Sequence, residues 1–517
     1  MVLELASCNM GGGIPDFISN LTQLAFLGLA DNNLSGPIPF WLFQLPKLSY
    51  LDLSSNNLQG VLPSSIQLHS SWLPTTLNLA SNSLQGPIPL LFENVVVINF
   101  SRNNFTGCIP TQIGELSNLR FLSFSSNKLL GQIPLSFCQA NNVLMLLDLS
   151  NNSLSGMVPT SLGNCTSLIS LDLGRNNFGG NIPKELGGAK NLSYLDLSHN
   201  HFDGPFPSFV KKLGIMEVLK LANNRFEGRI PRFIGDLRNL RIIMLASNLF
   251  NESIPQEINK LEKLQFIDLS NNELSGPIPE KLDGLKMMTS EPRQSTLLGY
   301  VISVMFSGVE LEMVTKGNWH QLVLVYSYTS GIDLSCNKLT GNIPQEIGLL
   351  HGLYMLNLSH NELSGDIPRS IGNMSTLESL DFSFNKLSGH IPTTLTLLDY
   401  LSYLNFSYNN FSGKIPSGMH FDTLYGDGSA YIGNKFLCGA PGGMKCDNNG
   451  TSSTIETIDA DDSRQEFFFY GVVIIGYVVG FWGLFAMLYL MKEKWRKRYW
   501  RAIDKIVVRI IQCLCKS

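Results

Sequence analysis

A phrase of 13 residues recurs along most of the chain and constrains its fold more than any other feature. The phrase LDLSHNHFDGPFP occupies Leu195–Pro207, and close copies occupy Leu51–Pro63, Ile267–Pro279 and Leu356–Pro368. Most copies begin 24 residues after the previous one. A sequence that repeats itself at this period is typical of a stack of similar coils, each of which buries its apolar side chains against its neighbours.

The first asparagine of the phrase marks each coil. It recurs at Asn32, Asn56, Asn82, Asn103, Asn127, Asn152, Asn176, Asn200, Asn224, Asn248, Asn272, Asn337, Asn361, Asn385 and Asn409. Cys8 takes the same position in an incomplete first copy, which gives 16 units. The form L-x-L-x-x-N/C-x-L at this period is the signature of a leucine-rich-repeat solenoid. We expect leucines such as Leu195 and Leu197 to point inward from a short strand. The asparagine amide should satisfy backbone groups of neighbouring coils.

Charge and the start of the chain add two expectations. The 37 Lys and Arg residues nearly balance the 41 Asp and Glu residues, so no nucleic-acid footprint is visible. Met1 leads directly into repeat residues, without the apolar segment of a signal peptide. We therefore expect a chain that is truncated at its N-terminus and lacks a signal peptide and an N-terminal cap.

The regular spacing breaks once, where 65 residues separate Asn272 from Asn337. Within this gap, residues 286–330 lack the leucine and asparagine pattern. The alternation of Val309, Leu311 and Met313 with their neighbours predicts a strand. A turn at 316–317 should precede a second apolar run, Leu322–Tyr328. Long loops on rigid scaffolds favour ligand binding, and the alternative is a loop that only packs on the concave face.

The C-terminal part changes character. Tyr431–Cys446 contains two cysteines eight residues apart, as expected of a cap that closes the last apolar coil in an oxidising compartment. Phe467–Met491 is 25 residues without a formal charge, long enough for a transmembrane helix. An acidic segment precedes it and a basic one follows, so the repeats should lie outside the cell and the C-terminus in the cytosol. Gly476, Gly480 and Gly483 present small residues at a helix-pairing spacing.

The repeat consensus, with its G-x-I-P ending, resembles the plant-specific extracellular class of leucine-rich repeats. That class includes plant receptor-like kinases, receptor-like proteins and polygalacturonase inhibitors. The island in the C-terminal half also has its counterpart, because Val314–Gly317 (VTKG) precedes the repeat at Ile332–Ser335 (IDLS). With the cysteine cap, the acidic linker, the apolar span and the short tail, the chain resembles a plant leucine-rich-repeat receptor-like protein, which is a receptor without a kinase domain.

The resemblance implies an α/β repeat solenoid. It should be a right-handed superhelix with a parallel β-sheet on its concave face, followed by a single transmembrane α-helix. The expected domains are repeats at 1–285, a non-repeat island at 286–330, four repeats at 331–417, a cap at 418–446, an acidic linker at 447–466, a transmembrane helix at 467–491 and a basic cytoplasmic tail at 492–517. The resemblance also implies a cap disulfide between Cys438 and Cys446. For Cys138 and Cys165, about one coil apart, a disulfide and two buried thiols are both compatible with the sequence.

The function implied by the resemblance is recognition of an extracellular peptide, protein or glycan in defence or development, at the plasma membrane. Partners would be an adaptor receptor-like kinase at the glycine-containing helix and a co-receptor of the somatic-embryogenesis kinase type at the last four repeats. Two alternatives are a secreted, wall-associated inhibitor of cell-wall-degrading enzymes and a truncated decoy receptor. No nucleophile–base constellation, cofactor motif or metal spacing is present in the sequence, so we expect no enzyme and no cofactor.

Outward strand positions and the island supply the candidate site residues. The expected ligand contacts are Phe121, Tyr194, Glu217, Arg241, Gln265, Phe266, Lys316 and Trp319. The expected co-receptor contacts are Tyr354, Glu378 and Tyr403. Expected N-glycosylation sites are the 13 sequons at Asn20, Asn33, Asn99, Asn104, Asn151, Asn164, Asn191, Asn251, Asn357, Asn373, Asn405, Asn410 and Asn449.

Overall fold

A computed structural model describes the repeats, much of the island and the cap. The described residues are 1–66, 75–91, 94–139, 143–290, 297–302, 305–308, 311–315, 318–322, 325–326, 330–418, 421–424, 427–439 and 446. The predicted linker, transmembrane helix and tail, with Gly476, Gly480, Gly483 and Asn449, lie outside the described residues. Within the described part of the chain, no helix is long and apolar enough to cross a membrane.

One parallel sheet of 16 strands runs through the repeats, with one strand for each unit counted in the sequence. The middle residue of each three-residue strand points inward, and Leu171, Leu195 and Leu219 are completely buried. The strands are Val2–Glu4, Phe26–Gly28, Tyr50–Asp52, Thr75–Asn78, Val95–Asn99, Phe121–Ser123, Leu146–Asp148, Ser170–Asp172, Tyr194–Asp196, Val218–Lys220, Ile242–Met244, Phe266–Asp268, Gly331–Asp333, Met355–Asn357, Ser379–Asp381 and Tyr403–Asn405. Their outward side is called the front face below.

The repeated asparagine ties each coil to the one before it. The Asn200 side chain donates to the carbonyl oxygens of Leu173, Leu197 and Ser198 at 3.0, 3.2 and 3.0 Å. Its Oδ1 accepts a hydrogen bond from the Phe178 N–H at 3.0 Å. Because two of these partners belong to the preceding unit, one buried side chain satisfies backbone groups of two coils, as the sequence predicts.

A second parallel ladder follows the asparagine in each unit and was not expected from the sequence. Adjacent units pair in order, for example Asp203 with Arg225 and Glu227 with Leu249. The glycine before the proline allows the left-handed turn that ends the strand, as at Gly204 with φ 80°. The strands are Gly11–Gly12, Asn33–Gly36, Asn57–Val61, Ser83–Pro87, Asn104–Cys108, Lys128–Gly131, Ser153–Gly156, Asn177–Gly180, His201–Pro205, Arg225–Arg229, Leu249–Glu252, Glu273–Gly276, Lys338–Asn342, Glu362–Asp366, Lys386–His390, Asn410–Lys414 and Phe436–Cys438.

The helical part of the predicted α/β solenoid is wrong, because the return segments are 3₁₀ turns. Among the described residues the single α-helix is Lys286–Thr289. Each five-residue 3₁₀ helix directly follows a proline, which ends the extended segment, and the short return leaves room for about one tight turn. The 3₁₀ helices are Asp16–Asn20, Phe40–Gln44, Thr111–Glu115, Thr160–Asn164, Lys184–Gly188, Ser208–Lys212, Arg232–Asp236, Gln256–Lys260, Gln345–Leu349, Arg369–Asn373, Thr393–Leu397, Phe421–Thr423 and Ser429–Tyr431.

The two units of irregular length use a different return. Asn56 and Asn82 are 26 residues apart, and Asn82 and Asn103 are 21 apart. In these units the short strands Ser65–Ile66 and Leu90–Leu91 pair in parallel. The register of the front sheet also shifts between Val95 and Val97.

The island interrupts the sequence but leaves the front sheet continuous. Phe266–Asp268 pairs directly with Gly331–Asp333, and the Asn337 amide reaches back to the Leu269 carbonyl oxygen at 2.9 Å. A Cβ on Gly331 would lie 2.6 Å from the Phe266 ring, so glycine makes this close junction possible. The repeats on both sides of the island therefore form one stack.

The island itself contains antiparallel strands. The predicted strand around Leu311 is confirmed at Leu311–Thr315, which pairs with Asn318–Leu322. The second strand therefore begins before the apolar run that suggested it. Leu297–Ile302 pairs with Met305–Gly308 and with Val325–Tyr326.

Two disulfides fasten the stack. Cys438–Cys446 is present, as the resemblance implies, and Cys138–Cys165 resolves the open alternative in favour of a bridge. Inside the coils, the rings of Phe178, Phe202, Phe226 and Phe250 stack with centroids 6.2–6.3 Å apart. Such regular burial in every coil supplies the core of a solenoid.

Candidate functional site

The first and third residues of each strand project from the front face and form columns. Neighbouring members of a column are about 4.8 Å apart, the spacing of adjacent strands. Side chains long enough to span this spacing therefore touch their neighbours along a column, and much of the front face is packed rather than open.

The third residue of most strands is an acid or amide with a structural role. In Asp196, Oδ1 accepts hydrogen bonds from the backbone N–H and the hydroxyl of Ser198. The same closure of the turn recurs at Asp52, Asn99, Asp148, Asp268, Asp333, Asn357, Asp381 and Asn405. This local hydrogen bond gives a structural reason why the sequence D/N-x-S recurs in the repeats. In the described portion of the chain, no cluster of three metal-ligating side chains occurs.

One cation is paired with a buried acid of the central repeats. Lys220 forms an ion pair with Asp196 on the neighbouring strand. Burial raises the pKa of Asp196, but the Lys220 ammonium and the hydrogen bonds from Ser198 together outweigh this effect. The pKa of Asp196 therefore lies below its ordinary value. On the preceding strand, burial and the adjacent Asp196 raise the pKa of Asp172 well above its ordinary value. The pKa values of these two neighbouring carboxyl groups are therefore shifted in opposite directions.

A second acidic pair stands at the island junction. Asp268 and Asp333 are partners in the strand register. Burial and the Asp333 carboxylate raise the pKa of Asp268 to about 7. Burial also raises the pKa of Asp333, whose Oδ2 accepts a hydrogen bond from the Asn357 amide at 3.1 Å. Two buried carboxyl groups side by side favour retention of one proton near neutral pH.

One open part of the front face is a groove of about 560 Å³ that crosses five repeats. It is lined by Arg120, Val143, Met145, Ser167, Ile169, Asn191, Ser193, Ile215 and Glu217. The residues come from the position just before each strand and from two positions earlier. Four strand spacings give it a length of about 19 Å, enough for about six residues of an extended peptide. We call it the front groove.

The ends of the front groove carry opposite charges. Arg120 is exposed at one end, while Glu217 lies at the other. The Arg241 guanidinium lies 3.8 Å from the Glu217 carboxylate, and its Nε donates to Gln265 Oε1 at 2.9 Å. The structure thus brings the predicted residues Glu217, Arg241 and Gln265 into one row. Arg120 was not among the predicted contacts, although it has the same repeat position as Glu217.

Several predicted ligand contacts are too buried to fit the expected role. Gln265 and Phe266 are each only 1% exposed, and Phe121 and Tyr194 are each 7% exposed. The cause is the column spacing, since Phe121 packs with Val97 and Leu146, and Tyr194 packs in the cluster of Phe266. Lys316 lies outside the described residues, and Trp319 is described only as part of the strand Asn318–Leu322.

The three predicted co-receptor residues fall on successive coils. The Glu378 N–H donates to the Tyr354 carbonyl oxygen, and the Tyr403 N–H donates to the Glu378 carbonyl oxygen. The Tyr403 hydroxyl donates to Asp381 Oδ2 at 3.1 Å. All three side chains are half-buried on the front face.

The same three coils carry a row of exposed aromatic side chains. The rings of His360, Phe384 and Tyr408 stack with centroids 4.3 Å apart. All three residues have positive φ, near 53°, as does the residue at the same position of the other repeats. The residue directly before the repeat asparagine is aromatic in these three successive units. Reading that position unit by unit in the sequence would have revealed this row. We call it the aromatic row.

The predicted glycosylation sites differ in accessibility. Asn99 and Asn357 are each 8% exposed and hydrogen-bonded within the sheet. Asn104 and Asn405 are half-buried. The exposed sites are Asn20, Asn33, Asn151, Asn164, Asn191, Asn251, Asn373 and Asn410.

Sequence comparison agrees with the repeat architecture. A profile described as Leucine rich repeat matches residues 142–202 and 212–274. A second profile, Leucine Rich Repeat, matches 47–68, 118–140, 352–374, 376–398 and 400–421. The chain is 52% identical over 217 residues to Cuscuta receptor 1 of Solanum lycopersicum. That match covers 41% of this chain and 18% of the relative, so it spans under a fifth of the relative's length.

Solved structures show the same fold in plant receptors. The Arabidopsis receptor kinase HAESA, in complex with the peptide hormone IDA and the co-receptor SERK1, is 32% identical with a TM-score of 0.67. The match covers 86% of this chain and 66% of that one. A TDR receptor is 27% identical with a TM-score of 0.67, and the match covers 80% of this chain and 65% of that one. The repeats, the two parallel ladders and these matches show that the chain is a leucine-rich-repeat protein, and it is similar to plant leucine-rich-repeat receptors.

Proposed function

We propose that the chain recognises an extracellular peptide in the front groove, as the ligand-binding part of a cell-surface receptor-like protein. The observation that carries the proposal is the groove itself, which is elongated, mainly apolar along its floor and charged at both ends. Ligand sites combine such an apolar lining with a few well-placed polar groups. The similar receptor HAESA binds a peptide hormone, which supports the same ligand class.

The charges define the peptide that fits best. An extended segment of about six residues would place an acidic group near Arg120 and a basic group near Glu217. Apolar side chains between them would contact Met145 and Ile169. Because the Arg241 guanidinium already lies close to the Glu217 carboxylate, a basic group of the peptide gains less there. The Arg120 end should therefore contribute more to the choice of peptide.

A panel of peptides with an apolar centre tests this proposal on the purified full chain. Panel members carry an acidic end, a basic end, both or neither, in either order, and binding is measured by fluorescence anisotropy. Arg120→Glu should weaken binding of the acidic-ended peptides at least about tenfold, a change of about 1.4 kcal/mol. Arg225→Glu provides a charge-matched control, because Arg225 is exposed on the second ladder. Equal binding by both variants would contradict a peptide site in the groove.

Signalling through kinase partners forms the second part of the proposal. A co-receptor kinase would contact the last four repeats, where Tyr354, Glu378 and Tyr403 lie on the same coils as the aromatic row. The stacked rings of Phe384 and Tyr408 are 41% and 50% exposed, and an exposed apolar surface of this kind favours contact with a partner. The HAESA complex, which includes the co-receptor SERK1, supports this kind of partner.

The membrane part of the proposal rests on the sequence alone. The apolar segment Phe467–Met491 would anchor the chain once in the plasma membrane, and Gly476, Gly480 and Gly483 would contact an adaptor kinase helix. Replacing Gly476 and Gly480 with leucine should abolish co-precipitation of the adaptor kinase, because the larger side chains keep the two helices apart.

The matched control for helix pairing is Gly471→Leu, at a glycine of the same segment that lies outside the pairing spacing. This variant should still co-precipitate the kinase, since the substitution adds the same side chain away from the pairing positions. Unchanged co-precipitation of the double leucine variant would contradict helix pairing.

A further inference from the structure

Asn191 is the sequon asparagine that lines the front groove. It is exposed, and the sequon is completed by Ser193, another lining residue. The sequon positions Asn164 and Asn251 are also exposed but do not line the groove. Asn191 therefore differs from these sites in its relation to the groove.

The neighbours of Asn191 form a surface on which a sugar chain can pack. Ile215 has the same repeat position in the next unit, about one strand spacing away, and is 45% exposed. Met145 and Ile169 add half-buried apolar surface on the other side. The first sugars of an N-linked chain have apolar ring faces and acetamido methyl groups, which can cover such side chains while their hydroxyl groups stay in water.

The groove is too small to hold a sugar chain and a peptide at the same time. A volume of about 560 Å³ lies within the range of pockets that hold one small ligand. A sugar chain that begins at Asn191 starts inside this volume. It cannot share the groove with an extended peptide that contacts both Met145 and Glu217.

We propose that an N-linked glycan on Asn191 lies across the front groove and controls access to it. The groove then exists in a covered and an open form, set by the occupancy or trimming of this sequon. The regulatory meaning rests on the proposed peptide site, but covering of the groove by the glycan can be tested without any ligand.

The test uses the full chain produced in cells that attach N-linked glycans. Ile215→Cys introduces a thiol in the groove, and Met157→Cys introduces one at a position that is 70% exposed and outside the groove. Each is made with and without Asn191→Gln, and the rate of reaction with a maleimide-linked polyethylene glycol is measured. Peptide mass spectrometry separates these thiols from the exposed native thiols of Cys8, Cys108 and Cys336.

Asn191→Gln should raise the labelling rate at position 215 several-fold and leave the rate at position 157 unchanged. Ser193→Ala removes the sequon but keeps Asn191, and it should have the same effect, which assigns the effect to the glycan. Equal rates at position 215 with and without the glycan would overturn the proposal. So would an unmodified Asn191 in glycopeptide mapping, or an equal rise at both positions. If no peptide binds the open groove while the labelling result holds, the proposed peptide site fails and the glycan cover stands.

Discussion

The Lys220 ammonium is paired with the Asp196 carboxylate across two neighbouring strands, with only 10% and 6% of the two side chains exposed. Asp172 and Asp148 continue the same column on the preceding strands. The positive charge of Lys220 therefore partly balances the column formed by Asp148, Asp172 and Asp196. We therefore expect the stability of the central repeats to depend on this side chain more than on a surface ion pair such as Lys338–Glu273.

Replacing Lys220 with methionine should destabilise the fold by about 3–5 kcal/mol, because it leaves a buried carboxylate without its partner. Denaturant unfolding followed by circular dichroism measures the loss. Lys338→Met is the matched control, since the Lys338–Glu273 pair has 61% and 48% of its side chains exposed and should contribute less than about 1 kcal/mol.

The double variant Asp196→Asn with Lys220→Met should recover part of the stability lost in the single variant. Removing both charges avoids the cost of an unpaired buried ion. If Lys220→Met unfolds at the same denaturant concentration as Lys338→Met, the buried pair contributes no more than a surface one.

The acidic pair at the island junction should make stability fall as pH rises from about 4 to about 7. The pKa of Asp268 is raised from an ordinary 3.8 to about 7, so in this interval the folded protein binds a proton that the unfolded chain releases. Asp381 is a further acid near the pair, and its charge contributes to raising the pKa of Asp333. Asp268→Asn should flatten this part of a melting-temperature profile against pH. Asp203→Asn, at an exposed position of the second ladder, should leave the profile unchanged.

The cap contains an asparagine that extends the ladder by one coil. The Asn434 side chain donates to the carbonyl oxygens of Phe406 and Tyr431 at 2.9 and 3.0 Å, and it accepts from the Phe411 N–H at 3.1 Å. Asn434→Ala leaves these groups unpaired and should cost about 3 kcal/mol. Hydrogen exchange should accelerate first around Phe411 and Leu437. The neighbouring exposed Lys435→Ala should show wild-type exchange, and identical exchange in both variants would contradict the role of Asn434.

Loss of the inter-coil disulfide should lower stability by about 3 kcal/mol. Cys138 and Cys165 are 27 residues apart in sequence, and a bridge of this span restricts the unfolded chain. The double variant Cys138→Ser with Cys165→Ser should melt lower than wild type and no longer respond to reductant at this site. Cys108→Ser, at an exposed free thiol, should not change melting. A double variant as stable as Cys108→Ser would show that the bridge contributes nothing.

The repeat sequence predicted the contacts that every unit makes in the same way, and it failed where the contacts depend on which side chains stand in the neighbouring units. The buried leucines follow from a single copy of the phrase, and the bonds of Asn200 follow from its regular repetition. The burial of Gln265 and Phe266 does not, because it depends on which side chains stand one strand away. Asn434 escaped detection because its unit lacks the L-x-L leucines around it.

The groove was predictable in part for the same reason. Glu217 was chosen as an outward residue, but Arg120 becomes its counterpart only when the two are placed in one column across five coils. The resemblance implied an α/β solenoid, whereas the regular return segments are 3₁₀ turns. The proline at the start of each return and the few residues that follow it favour a single 3₁₀ turn instead.

The direct pairing of Phe266–Asp268 with Gly331–Asp333 has a consequence for how the molecule unfolds. In a stack of coils, each unit is stabilised by its contacts with the two units beside it. Since this junction keeps the hydrogen bonds of the ladder, unfolding has no reason to stop there. The island can therefore change its sequence and length without dividing the protein into two independently melting halves.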